Sequence, residues 1–277
     1  MPEIRRSFDG RDRIFIGERM ILTADYHTHT PYSHGKNTVA ENVAQAVKIG
    51  LKQVAISDHG FTHLAYGIRR KEVEAFMADC RAAEAEYGIP VLRGIEANVG
   101  GIRGDCDLTE KDYENFDVYL CGYHLTTVYK RFGDFFFNGL GNICNQRLKL
   151  PQTKTLYKRN TQAYIATIQK HPIDILTHLS FQCVCDTLEV AKCAADHGTY
   201  IELNSKKRHL TDEQLMEIVD KTSARFVIDS DAHSASRVGD TAIVEEQLAR
   251  LHFPMDRIDN IDGRFPTFRF AEFKKRM

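Results

Sequence analysis

The chain has 277 residues, 43% of them hydrophobic, and 37 basic against 38 acidic side chains leave a formal charge of −1. That length falls within the range of one α/β barrel and does not demand a second domain, so residues 1–277 are expected to form a single barrel domain. The near-zero balance gives no global nucleic-acid footprint, which leaves only local basic patches to consider.

Residues 1–20 carry Arg5, Arg6, Arg11, Arg13 and Arg19 with no apolar stretch between them. They are expected to be an N-terminal extension rather than a signal peptide. No later stretch reaches about eighteen uninterrupted apolar residues, so no membrane association and a cytoplasmic location are expected. The seven cysteines lack the C-x-x-C pairs of a zinc ribbon and read as buried thiols of a reducing compartment.

Strand and helix signals then alternate. A short apolar run at 21–26 precedes a helical pattern that opens at Thr38, a plausible cap, and stops at Gly50. Residues 53–57 read as the second strand and 71–87 as the next helix, closed by Gly88 and Pro90. Further strands are expected at 91–95, 116–122, 173–177, 200–203 and 226–228. Amphipathic stretches at 164–170, 187–197, 212–221 and 240–251 lie between or after them. The connection 125–158 is long for a compact barrel and holds Tyr129, Phe132, Phe135, Phe136, Phe137 and Tyr157, so it is expected to be a loop that covers one side of a pocket as a lid. Seven strands, each feeding a helix, imply a parallel sheet.

Candidate ligands arrive where those strands end. His27 and His29 follow the first, with His34 close behind; Asp58 and His59 follow the second, Glu96 the third, His124 the fourth, His178 the fifth, and Asp231 with His233 the seventh. The sixth ends in Asn204. In an open sheet only two or three strand ends share a site, whereas in a closed barrel all of them face one mouth. Closure is therefore favoured, and imidazoles crowded with carboxylates are how proteins hold catalytic metal ions. The remaining histidines, His63, His171, His197, His209 and His252, read as surface or locally hydrogen-bonded, with His63 nearest the mouth.

The set His27-Thr28-His29, Ser33-His34-Gly35, Ser57-Asp58-His59-Gly60, Gly94-Ile95-Glu96-Ala97-Asn98, His124, Thr177-His178, Glu202-Leu203-Asn204 and Ser230-Asp231-Ala232-His233 resembles the polymerase and histidinol phosphatase (PHP) family from about Ala24 to about Gly239. The resemblance implies an α/β fold, a distorted (β/α)7 TIM-like barrel, with a trinuclear centre of divalent zinc, manganese or iron. It implies one metal held by His27, His29, Glu96 and Asp231, a second by His34, His59 and His233, and a third by His124 and His178 with Glu96 bridging. Thr177-His178-Leu179-Ser180 departs from the family's more frequent His-Pro, which touches the loop more than the ligand.

Such a centre implies a hydrolase, a phosphatase in which a metal-bridging hydroxide attacks the phosphorus of a small phosphorylated metabolite. Histidinol phosphate, a nucleotide or a sugar phosphate are the candidates. Asp25 and Asp58, each near a ligand histidine, are expected to orient imidazoles, and Arg237 joins them as a catalytic candidate. Arg69, Arg70, Lys206, Lys207, Arg208 and Arg237 are candidates for gripping phosphate. The alternative is a PHP-type nuclease or 3'-phosphoesterase acting on nucleic-acid ends, disfavoured by the charge balance and the lack of a polymerase segment. A non-enzymatic barrel is disfavoured because no ligand position is lost.

Overall fold

The computed structural model describes residues 20–277, so the extension expected over residues 1–20 lies, Met20 apart, outside the described residues. Seven strands form one parallel sheet whose spatial order is the chain order: β1 (Ala24–Asp25), β2 (Gln53–Ile56), β3 (Val91–Asn98), β4 (Val118–Gly122), β5 (Ile175–Leu176), β6 (Tyr200–Asn204) and β7 (Phe226–Asp229). Helices α1 (Val39–Lys48) and α2 (Val73–Tyr87) connect the first three strands. Between β4 and β5 lie α3 (Phe132–Asp134), α4 (Gly141–Arg147) and α5 (Lys154–Lys170). Then follow α6 (Thr187–His197), α7 (Asp212–Lys221), α8 (Ala242–Leu251) and α9 (Arg269–Lys274).

Local chemistry explains most boundaries. The Thr38 hydroxyl accepts from Glu41 N and the Glu41 carboxylate accepts from Thr38 N at 2.7 Å, a reciprocal cap that starts α1. Gly88 and Gly198 end α2 and α6 in the left-handed conformation. Two expectations fail. After β3 the chain makes only a 3-10 turn at Glu110–Asn115, which distorts the barrel. The connection 125–158 is mostly helical rather than a loop, with a π-helical stretch Phe135–Leu140 joining α3 to α4.

Alternation along the strands separates two cores. Val118 and Leu120 of β4 join Ala24, Tyr26, Ala55, Ile175, Tyr200 and Val227 inside the barrel. Tyr119 and Cys121 face the other way and join the larger core beneath the helices. Phe268 packs edge-on against Tyr26 at 5.0 Å and closes the N-terminal end. The same parity turns Glu96 of β3 and Glu202 of β6 inward, above this apolar floor.

The barrel is nearly closed, and the seam between β7 and β1 is built from side chains. Asn260 Nδ2 donates to Ala24 O at 2.9 Å and to Ile228 O at 2.7 Å, while its Oδ1 accepts from Ile228 N at 2.9 Å. The Asp25 carboxylate accepts from Ser230 N, Ser230 Oγ and Gly239 N. Above them, Thr28 and Ala232 make one parallel bridge. The seven cysteines are free, and all but Cys144 are buried.

Candidate metal centre and active site

Glu96 stands at the middle of the barrel mouth with no solvent exposure. Its Oε1 lies 2.7 Å from His178 Nε2 and 3.3 Å from His124 Nε2, and it accepts from Thr177 Oγ1 at 3.1 Å. Its Oε2 lies 2.7 Å from His59 Nδ1, 3.3 Å from His27 Nε2 and 3.8 Å from His29 Nε2. Asp231 Oδ1 is 3.4 Å from His29 Nε2 and 3.9 Å from His27 Nε2. The His34 ring packs 4.1 Å from that of His233 and 4.9 Å from that of His59. All nine residues expected as ligands therefore meet at one mouth.

His178 Nε2 hydrogen-bonds Glu96 Oε1, but not every close pair at the mouth is a hydrogen bond. His59 Nδ1 and Glu96 Oε2 approach closely yet make no hydrogen bond, and His29 Nδ1, His34 Nδ1 and His178 Nδ1 are also buried without a partner. His27 Nε2 and His29 Nε2 face each other at 3.1 Å. Ligand atoms about 2.1 Å from a shared tetrahedral ion stand about 3.4 Å apart, close to this spacing. Three compact groups result: His27, His29 and Glu96; His29, His59 and His233; and His59, Glu96 and His124. His29 thus joins His59 and His233 in the group expected of His34, His59 and His233, with the His34 ring packed against the latter two.

Burial and charge prepare these groups. Burial, reinforced by the neighbouring cationic groups, pushes His29 well below its usual range, His34 down to about 4 and His59 to about 3, which keeps their lone pairs free. For His27 the same burial is outweighed by Glu96, Glu202 and Asp231, which hold it well above. Burial raises Glu96 and Asp231, but neighbouring imidazoles overcome it and hold both carboxyls ionised. His178 (φ 31°) and Asp231 (φ 48°) sit in left-handed backbone, a strain characteristic of functional sites. A Cβ at Gly122 would lie 2.6 Å from His178 Cε1 and would collide with Thr177 Oγ1, so the glycine makes room for that loop.

The carboxylates expected to orient imidazoles do something else. Asp25 holds the seam described above. Asp58 accepts from Thr30 N at 2.8 Å, Thr30 Oγ1 and Ser33 Oγ, and stands 4.0 Å from His29 Nδ1, so it fixes the turn that carries His34. The orienting role falls to Glu202, present in the motif Glu202-Leu203-Asn204 but given no role by the sequence. Its Oε1 lies 2.5 Å from His27 Nδ1 and its Oε2 accepts from His178 N at 2.6 Å. Asn204 Nδ2 donates to both Glu202 and Asp231.

The basic candidates divide. Lys206 Nζ lies 3.2 Å from Asp231 Oδ1 and 3.1 Å from His233 Nδ1, at the edge of the centre. Arg237 binds Asp240 and the Ser205 carbonyl on the same rim. Lys207 stands over Phe181, whose ring packs on His178. Arg208 pairs with Glu246 of α8, and Arg70, which lines the same cleft as Arg69, pairs with Asp112 and lies over the Phe61 ring. Arg69 lines a cleft of about 440 Å³ with Tyr32, Ser33, Phe61, His63 and Tyr66. Tyr66 stacks on His34 at 4.4 Å, which sets this cleft beside the centre. His63 also lies against His59, but both of its nitrogens are engaged, by Thr126 Oγ1 and Tyr66 N. From the connection 125–158, Thr126 and Thr127 bond to side chains beside the site, whereas Phe132, Phe135, Phe136 and Phe137 are exposed.

The family model of the PHP domain matches residues 25–206. The chain belongs to the PHP family. A probable phosphatase of Proteus mirabilis is 32% identical over 254 residues, 87% of this chain and 90% of the relative. Two solved structures share the PHP barrel at 13% identity. One, from Listeria monocytogenes and described as a candidate histidinol phosphatase, has a TM-score of 0.55 over 80% of this chain and 99% of its own. The other, a histidinol phosphate phosphatase of Lactococcus lactis complexed with zinc, L-histidinol and phosphate, has a TM-score of 0.53 over 89% of this chain and 99% of its own. The PHP barrel thus accounts for the seven sequential strands and for the mouth at which the ligand-type side chains collect. Among the described residues no helix is long and apolar enough to cross a membrane.

Proposed function

We propose that this PHP protein is a metal-dependent phosphatase that hydrolyses a small phosphate monoester. The observation that carries the reading is the convergence of Glu96, Asp231 and seven imidazoles on one mouth, where His59 Nδ1 and Glu96 Oε2 face each other buried and without a hydrogen-bond partner. These side chains fit divalent cations: imidazoles crowded with two carboxylates suit zinc, manganese or iron. His27, His29, Glu96 and Asp231 would hold one ion, His59 and His233 with His29 and His34 a second, and His124 and His178 with Glu96 a third. When bound, such ions lower the pKa of water towards ~7 and draw charge from phosphate oxygens.

The chain's own groups do the rest. Glu202 ties His27 Nδ1 and leaves Nε2 aimed at the centre. The Lys206 ammonium, already beside Asp231, meets the anionic phosphate at the rim, and Arg237 stiffens the backbone next to it. The cleft walled by Tyr32, Tyr66 and Arg69 receives the leaving group. Its volume is that of a small-metabolite site. The phosphatase relative supports the reaction class, and the histidinol complex of the Lactococcus protein makes histidinol phosphate the first ester to test.

The test is phosphate release from a panel of histidinol phosphate, nucleotides, sugar phosphates and an aryl phosphate, before and after stripping with a chelator. Hydrolysis should fall at least about a hundredfold on stripping and return with zinc or manganese. Undiminished turnover by stripped protein would overturn the reading. So would release of nucleotides from a labelled single strand with no monoester cleaved.

A further inference from the structure

The helical run from Phe132 to Arg147 is inside out. Its buried side carries Asp134, Asn138 and Asn142. These are satisfied internally: Asp134 by Arg159, Asn138 and Asn142 by Asn160, and Asn142 also by the Tyr123 hydroxyl. Its solvent side carries Phe132, Phe136 and Leu140 at four-residue spacing, flanked by Phe135 and Phe137. Phe132 is 79% exposed and Phe136 51%, and their rings stack on each other at 6.2 Å. Leu148 and Leu150, just past α4, are 65% and 51% exposed. Burying amides while exposing phenylalanines opposes the hydrophobic effect in water, so this face is built to meet an apolar medium.

Charge identifies that medium. From Val128 to Lys158 six cationic side chains stand against one carboxylate, the buried Asp134, in a chain whose net charge is −1. Lys130, Arg147, Lys149, Lys154 and Lys158, close along the chain to the exposed rings, are all exposed, and Arg131 pairs with Asp105. We propose that this face docks on an anionic lipid bilayer, with the phenyl rings and leucines entering the acyl boundary and the lysines meeting acidic headgroups. A second copy fits less well, because a two-fold contact would oppose one basic rim to another. A single-stranded nucleic acid would stack on the rings but has no use for Leu140, Leu148 and Leu150. The phosphatase centre plays no part in the argument.

The test is flotation of the full-length protein with phosphatidylcholine vesicles, with and without phosphatidylglycerol. The protein should float with the anionic vesicles and far less with the neutral ones, and added salt should release it. Phe132→Ser with Phe136→Ser should cut flotation about tenfold or more, as should Lys149→Glu with Lys154→Glu, at an unchanged melting temperature. Absence of flotation, or equal flotation of the phenylalanine variant, overturns the proposal. So does a result in which those phenylalanine substitutions abolish self-association in sedimentation, or oligonucleotide binding, with no vesicle binding by the parent.

Discussion

Glu202 shows how one side chain sets a centre it does not face directly. With one oxygen at His27 Nδ1 and the other at His178 N and Asn204, it fixes the tautomer and direction of His27 and the path of the loop that carries His178. Carboxylates behind ligand imidazoles commonly tune metal affinity. Glu202→Gln keeps the shape but places an amide group where both oxygens accept. It should lower zinc affinity by about 10- to 100-fold, measured by competition with a chromogenic chelator. Unchanged affinity would reduce Glu202 to a packing role. The ligand histidines were legible because residue type and position after a strand suffice to mark them. Glu202 was hidden inside an apolar strand, and the available signal was its parity with Tyr200 and Asn204 on the inward face. The partners of Arg70 and Arg208 are not legible in the same way, because Asp112 and Glu246 lie far away along the chain.

Between elements, Asp174 ties three together at the start of β5. Its carboxylate accepts from Tyr119 N of β4 at 3.0 Å and Phe270 N of α9 at 2.8 Å, and its carbonyl accepts from Tyr200 N of β6 at 2.7 Å. Burial pushes this carboxyl up to about 7, against the pull of its backbone hydrogen bonds. A folded pKa above the unfolded one means that the fold favours the protonated acid. Its contribution to stability is complete below about pH 4 and is lost as pH rises to about 7, at about 1.4 kcal/mol per pH unit across that window. Asp174→Asn, although it forfeits one acceptor, has no such dependence. Urea midpoints at pH 5 and pH 8 should therefore show the parent losing its advantage over the variant as pH rises. An advantage that is equal at both pH values would mean that Asp174 titrates alike in folded and unfolded chains.

Helices were legible where their signals are local. α6 and α7 span the residues expected for them, because Asp186 with Gly198 and Thr211 with Gln214 act within one turn. The connection 125–158 was misread because its helix buries amides and exposes rings, the reverse of the pattern by which a helix is recognised.

For the molecule as a whole, the centre concentrates ligand-type side chains where β1 to β5 and β7 end, so a bound metal is expected to stabilise the fold. A cation that binds the folded protein a hundred times below its working concentration adds about 2.7 kcal/mol, a rise of roughly 5 °C or more in melting temperature for a chain of this size. Zinc or manganese should produce that rise in stripped protein, and His59→Ala with Glu96→Ala should erase it. Equal melting temperatures with and without metal would argue that the donors are not a metal site.

Candidate ligand types and strand number follow from patterns a few residues long, each set by the spacing of apolar side chains and by the polar group that ends the run. The meeting of those ligands does not. It requires β1 to reach β7, and that contact rests on Asn260 bonding Ala24 and on Asp25 bonding Ser230 across 205 residues. Which oxygen of Glu96 faces which imidazole, and which cations reach the rim, was likewise decided only when the ring drew in, because such distances depend on every intervening residue at once.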